Sequence, residues 1–178
     1  MADLFTQEYY QEVFNEFMGF TRAELAQGGL SLTDIVPVIS EICLRTTMEE
    51  EYLLHKKSLE QISGICITAV INGREIVVYG LLEKLTNENA NTRTIELAGP
   101  HSKYSISGIQ HIKLLTKTTS IESIFGKSRD NLAVIGNWNG AETLEMSDGK
   151  QIRLTSENLI LKSLSEPGTV VKLLNQSS

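Results

Sequence analysis

Gly64-Ile-Cys-Ile-Thr-Ala-Val-Ile71 opens the most informative part of this sequence. Asn72-Gly73 follows it, and then comes Arg74-Glu-Ile-Val-Val-Tyr-Gly80-Leu-Leu-Glu-Lys-Leu85. Its side chains follow a period of two, which is typical of β-strands. Asn72-Gly73 favours a two-residue hairpin turn, because both turn positions need positive φ. Since glycine weakens the interior of a strand, Gly80 predicts a bulge or a sharp bend in the second arm.

Residues 1–61 show helical spacing instead. Phe5, Tyr9, Val13 and Phe17 recur at every fourth position and predict an amphipathic helix that ends at Gly19. A capping box at 21–24 predicts a short second helix. Two further helices are predicted from two apolar stripes, the first made of Ile35, Val38, Ile39, Ile42 and Cys43, the second of Met48, Tyr52, Leu53 and Leu59.

The chain after residue 116 predicts a linker and then more strands. Residues 117–130 are polar, with a short helical turn around 121–125, and β patterning resumes at 132–135, 142–146, 151–154, 159–164 and 169–174. The segment 103–112 also parallels 150–160, which indicates a repeat of two related small barrels. One larger closed sheet, or one barrel with an added β-meander, is the alternative.

Residues 62–115 resemble the small β-barrel of Sm-like proteins, and a generic SH3-like barrel would look almost the same. A helix precedes the segment, Gly80 stands in the second strand, and Ile106-Ser107-Gly108 occupies the turn of the fourth. The fold class predicted is α+β, with N-terminal helices followed by one or two small antiparallel barrels. The predicted domains are a helical region at 1–61, a barrel at 62–116, a linker at 117–130 and a second antiparallel β region at 131–178.

The resemblance implies an RNA site only in part. It places one binding residue in the loop, at Asn89 or Asn91, and further ones at Arg93, Ser107 and His111. The turn position where Sm-like proteins carry arginine is Ser107, so the planar cation that stacks on bases and grips phosphate is missing.

Composition limits the classes of partner. The chain has 178 residues, a net charge of −6 and a pI near 5.1. This acidic balance argues against DNA and against an anionic membrane surface. The N-terminus has no secretory signal, so the expected compartment is the cytoplasm. Cys43 and Cys66 lie in apolar segments and are expected to be buried, reduced thiols.

A search for chemistry yields no recognised catalytic motif. Phosphate-binding loops, C-x-x-C and H-E-x-x-H are absent. His101 and His111 could converge with His55 or with Glu96, and the three histidines could hold a metal, while Cys66 with His111 could form a nucleophile pair. Both ideas are set aside in favour of structural roles, so neither a metal nor a cofactor is predicted. Trp138, in a Gly/Asn turn, is a candidate contact residue.

The sequence therefore predicts a non-catalytic interaction or scaffolding protein that acts through a barrel surface. A protein partner or self-association is expected. RNA binding through Asn91, Arg93, Ser107 and His111 is the first alternative. A hydrolase or small-ligand-binding enzyme, with a site assembled from distant residues, is the second.

Overall fold

The computed structural model describes residues 4–31, 38–71, 74–101, 106–116, 133–138, 141–155 and 168–175. These contain two helices and nine strands. In chain order they are α1 (Gln7–Gln27), β1 (Val38–Arg45), α2 (Glu49–Ile62), β2 (Ser63–Ile71), β3 (Arg74–Asn87), β4 (Ala90–Ala98), β5 (Gly108–Leu115), β6 (Ala133–Trp138), β7 (Ala141–Glu145), β8 (Gln151–Thr155) and β9 (Val170–Leu173).

All nine strands belong to one mixed sheet, in the order β6-β7-β8-β5-β1-β4-β3-β2-β9. The prediction of one or two small antiparallel barrels behind a helical region is therefore wrong. Strands from both halves of the chain share this sheet, because β1 pairs with β5 in antiparallel fashion. Alternation along a strand indicates which face each side chain occupies, but it does not indicate the partner strand.

The strand order contains the same arrangement twice. In the first half, β1 lies parallel to β4, and β3 and β2 follow with antiparallel pairing. In the second half, β5 lies parallel to β8, and β7 and β6 follow in the same way. The sequence similarity between 103–112 and 150–160 does not correspond to this repeat. His111 on β5 and Gln151 on β8 are neighbours within the second arrangement, whereas residues related by the repeat would lie in different arrangements.

The first part of the chain differs from its predicted helices. One helix, α1, replaces the first two and runs through Gly19, where an added Cβ would meet no atom within 4 Å. The side chain of Thr6 accepts a hydrogen bond from the backbone N–H of Tyr9 and caps its start. The third predicted helix is the strand β1. Both of its faces are buried, and the apolar residues Ile39, Ile42 and Cys43 also fit helical spacing, so this stretch can be mistaken for a helix.

Several local predictions are confirmed. Strands β2 and β3 pair from Ile71 and Arg74 outward, as the hairpin required, and the β3–β4 register shifts between Gly80 and Leu85. Helix α2 contains Tyr52, Leu53 and Leu59 of the second apolar stripe, and Met48 is its N-cap residue. Strands β6 to β9 match four of the five late strands, while the predicted strand at 159–164 and the helical turn at 121–125 lie outside the described residues.

The two faces of the sheet differ in chemistry. Both helices cover the apolar face, where aromatic residues of α1 and α2 join aliphatic residues of the inner strands in one core that includes Tyr10, Phe14, Phe17, Tyr52, Leu59, Ile42, Leu44, Ile95, Leu97, Ile112, Leu114, Ile152 and Leu154. The opposite face carries polar and ionisable side chains. In the described part of the chain, neither helix is apolar enough along its length to cross a membrane.

Candidate metal centre

The four inner strands each place ionisable or amide side chains on the face opposite the helices. We call this the polar face. The side chains alternate with the large aliphatic residues of the core, because successive residues of a strand point to opposite faces. The set is Glu41, Cys43 and Arg45 on β1, Glu96 on β4, His111 and Lys113 on β5, and Gln151 and Arg153 on β8.

Strand register aligns four of these residues in a row across the sheet. Cys43 is the partner of Glu96 on one side and of His111 on the other. His111 is in turn the partner of Gln151. Cross-strand partners lie about 5 Å apart at Cβ. The row therefore brings together residues from both halves of the chain.

The centre of the row is compact. Ligand atoms of Cys43, Glu96 and His111 lie within 4.8 Å of one another, and no other such group of three occurs in the described ranges. The Cys43 thiol donates a hydrogen bond to Glu96 Oε1 over 3.3 Å. His111 is 2% exposed, and its Nε2 has no hydrogen-bond partner among the described residues. A buried polar atom without a partner is costly and needs an explanation.

Burial dominates the protonation of this centre. It raises the pKa of the Cys43 thiol well above its usual value, and the carboxylate of Glu96 adds to the rise. Burial likewise lowers the pKa of His111 well below its usual value, with further lowering by Arg153, Lys113 and Arg45. Without a bound cation, the centre therefore holds a neutral thiol and a neutral imidazole at pH 7.

Lys113 joins the row to a second buried carboxylate. Its Nζ lies 3.4 Å from Glu96 Oε2 and also forms an ion pair with Glu41 Oε1. Ser40 donates a hydrogen bond to the other oxygen of Glu41 over 3.2 Å. Burial alone would lower the pKa of Lys113, but the two carboxylates outweigh it and raise that pKa. Lys113 therefore remains a cation in the interior.

The four further residues predicted to bind a ligand lie apart from His111. Asn91 and Arg93 are exposed on β4, and Arg93 donates a hydrogen bond to the backbone oxygen of Leu82. Ser107 donates one to Glu51 at 2.5 Å, at the start of α2. Trp138 ends β6, opposite Ala141. A binding role for these four residues stays a prediction.

The other candidate sites from the sequence are not assembled. His55 is buried on the helix-covered side, where it hydrogen-bonds Tyr10, and His101 is exposed. Strands β3, β4 and β1 separate Cys66 on β2 from His111 on β5. Cys66 and Cys43 are both free and buried, as predicted.

Sequence reasoning missed Cys43 as a site residue and used Glu96 only as a partner for the histidines. The signal was present in the segments Glu41-Ile-Cys-Leu-Arg45, Ile95-Glu-Leu97, His111-Ile-Lys113 and Gln151-Ile-Arg-Leu154. Each alternates ionisable or amide residues with large aliphatic ones. Such a pattern predicts a strand with a core face and a face that carries chemistry.

Comparisons with known proteins agree with this architecture. The sequence profile of the YecM protein family matches residues 7–173. The chain belongs to the YecM family. The YecM-family fold is also found in a solved structure, structural genomics protein EC4020, with 20% identity, a TM-score of 0.69 and coverage of 93% of this chain and 98% of that one.

A second solved structure, a proposed dioxygenase from Bacillus subtilis subsp. subtilis str. 168, is a more distant neighbour of this YecM-family chain. It has 12% identity, a TM-score of 0.44 and coverage of 68% of this chain and 41% of that one. No curated protein sequence matches the chain.

These findings correct two predictions. The Sm-like or SH3-like resemblance is wrong, because family membership covers nearly the whole chain and the sheet is continuous. The prediction of a non-catalytic interaction or scaffolding protein is also wrong. The cluster of Cys43, Glu96 and His111, in which the thiol and the imidazole are buried, favours an enzyme-like or ligand-binding protein instead.

Proposed function

We propose that this protein is a small-ligand-binding enzyme whose centre is a divalent transition-metal ion, Zn²⁺ in the first instance, held by Cys43, Glu96 and His111. The observation that carries the proposal is the buried Nε2 of His111, which lacks a hydrogen-bond partner in the part of the chain that the structure describes and lies in a group with a thiol and a carboxylate. Thiolate, imidazole and carboxylate are the ligands that Zn²⁺ takes in proteins.

The residues fit such an ion in number and in charge. Three protein ligands leave a coordination position for water or substrate, as in catalytic rather than structural zinc sites. The thiolate of Cys43 and the carboxylate of Glu96 together neutralise a divalent cation. Beside it, Lys113 is ion-paired with Glu41, whose pKa burial raises to about 7. Binding must displace the thiol proton, so we expect metal affinity to rise with pH.

The surrounding residues suit catalysis by a bound ion of this kind, which supplies Lewis-acid chemistry at its open position. The burial of Cys43 and His111 limits access of bulk water and strengthens electrostatic interactions there. Lys113 holds one oxygen of Glu96 and leaves the other facing Cys43. Gln151 lies next to His111, and its side-chain oxygen accepts two hydrogen bonds from Arg153 at 3.0 and 2.8 Å. Arg153 is thereby fixed near the centre.

The test is direct measurement of metal binding. Purified metal-free protein is titrated with Zn²⁺ and Co²⁺, and we expect one equivalent to bind. Substitution of one ligand, in Cys43→Ser, Glu96→Gln or His111→Ala, should weaken binding by at least roughly 100-fold, since even outer-shell residues contribute about 10–100-fold. Cys66→Ser and His101→Ala are matched controls and should bind as the unaltered protein does. Equal binding by all five variants would refute the site.

Two expectations from the sequence are separate from this centre. We propose a cytoplasmic location, supported by the two cysteines, which are both free and buried. Self-association or a protein partner also stays a prediction, and light scattering of the purified chain tests self-association.

A further inference from the structure

Glu41, which is buried, and Lys113, which is mostly buried, are charges beside the candidate metal centre, and apolar residues could fill the same space. Glu41 is fully buried, and Lys113 bridges it to Glu96. Burying such ions costs several kcal/mol each, and apolar residues of similar volume are often neutral or stabilising replacements. A function of the site is therefore the better explanation for this triad.

Glu41 is close enough to the centre to become a ligand. It lies two residues before Cys43 on the same face of β1, about 7 Å away at Cα. The ion pair with Lys113 engages its Oε1, and Ser40 engages Oε2. Glu41 accordingly lies outside the group of ligand atoms within 4.8 Å. A carboxylate side chain released from Lys113 could span the remaining distance.

We infer that Lys113 is a positioning residue that holds Glu41 out of the ligand set and so keeps a coordination position open for substrate. The inference rests on the proposed function, because it presupposes a metal at Cys43, Glu96 and His111. In this arrangement Lys113 supports the Glu96 carboxylate as a ligand and holds the Glu41 carboxylate away from the metal. The open position follows from the restraint, since four protein ligands would close a tetrahedral site.

The test uses Co²⁺-loaded protein and azide, a small anion that binds metals at open positions and changes the visible spectrum. The unaltered protein should respond to azide. Lys113→Met should still bind Co²⁺, with a changed spectrum and an azide affinity at least roughly 10-fold weaker. The double variant Glu41→Gln with Lys113→Met should regain the azide response. Because the double variant also lacks the lysine charge, its recovery separates ligation by Glu41 from simple loss of a cation.

A further variant keeps the inference testable if Lys113→Met does not fold. Glu41→Gln alone should leave the Co²⁺ spectrum and affinity unchanged, since Glu41 is not a ligand while Lys113 is present. A changed spectrum in Glu41→Gln, or an unchanged azide response in a folded Lys113→Met, would overturn the inference and leave the metal site standing. Failure of the unaltered protein to bind Co²⁺ or Zn²⁺ would instead remove the proposed function and this inference together.

Discussion

His55 is an ionisable residue with a structural role. It lies on α2, on the side of the sheet opposite the candidate metal centre. It is 1% exposed, its Nδ1 lies 3.0 Å from the hydroxyl of Tyr10, and its ring stacks on Phe5 with centroids 4.3 Å apart. Burial lowers its pKa to about 4, although Glu51 opposes the change. The neutral ring and the Tyr10 hydroxyl share a hydrogen bond, so His55 joins α1 to α2 as an uncharged residue.

This depressed pKa predicts a loss of stability in mild acid. Because the unfolded chain binds the His55 proton near pH 6.5 and the folded one only near pH 4, its contribution is complete above pH 6.5. It is lost as the pH falls from 6.5 to 4, by up to about 3 kcal/mol. Denaturant unfolding between pH 7.5 and 4 measures this, with His55→Gln as the comparison. If both proteins lost stability in parallel, His55 would not be the cause.

The reactivity of the Cys43 thiol gives a second test of the candidate metal ligands. Cys43 is fully buried with a raised pKa, so we expect native protein to react with a thiol reagent at Cys43 more slowly than unfolded protein by at least about 100-fold. Bound Zn²⁺ should slow that reaction further. Reaction in a Cys66→Ser background isolates the signal of Cys43. Equal rates with and without Zn²⁺ would contradict ligation by this thiol.

At the scale of single elements, helix α2 depends on one buried face. Leu59 is 0% exposed and belongs to the core, whereas Leu53 on the same helix is 53% exposed. We expect Leu59→Ala to lower the free energy of unfolding by about 2–5 kcal/mol, because it removes buried methyl groups and leaves a cavity. Leu53→Ala should change it by less than about 0.5 kcal/mol. Chemical denaturation measures the free energy of unfolding of the two variants. Both replace leucine with alanine in α2, so the change in helix propensity is the same.

The elements also show how far the sequence could predict this fold. The β2–β3 hairpin, the bulge after Gly80 and helix α2 were predictable because local rules govern them. Strand β1 was not, since its partners β4 and β5 lie far away in the chain and both of its faces are buried. If β1 is taken for a helix, the sheet loses the strand that joins β4 to β5, and the remaining strands divide into two separate groups.

The same strand explains why the candidate site was only partly predictable. The sequence points to His111 as one of three histidines and through the resemblance to Sm-like proteins. Glu96 was considered only as its possible partner. Local spacing places Cys43 in a helix, and its position between Glu96 and His111 depends on two long-range pairings that no short segment specifies. Register, rather than any motif, creates the cluster.

For the whole molecule, metal binding should be linked to folding, because the unfolded chain has no preformed site. At a Zn²⁺ concentration of 100 times Kd, binding adds about 2.7 kcal/mol to stability, which for a chain of 178 residues corresponds to a rise in Tm of about 5–10 °C. Scanning calorimetry with and without Zn²⁺ measures the shift. It should vanish in Cys43→Ser and persist in Cys66→Ser. A shift of the same size in both variants would indicate binding elsewhere.

The antiparallel contact of β1 with β5 has a consequence for biosynthesis. Cys43 leaves the ribosome well before His111, and at about 5–20 residues per second the delay is several seconds. Throughout that interval the nascent chain carries the thiol without its imidazole neighbour. If the proposed metal is held there, the full ligand set forms only after translation of β5, and a chain truncated before β5 would lack the His111 ligand.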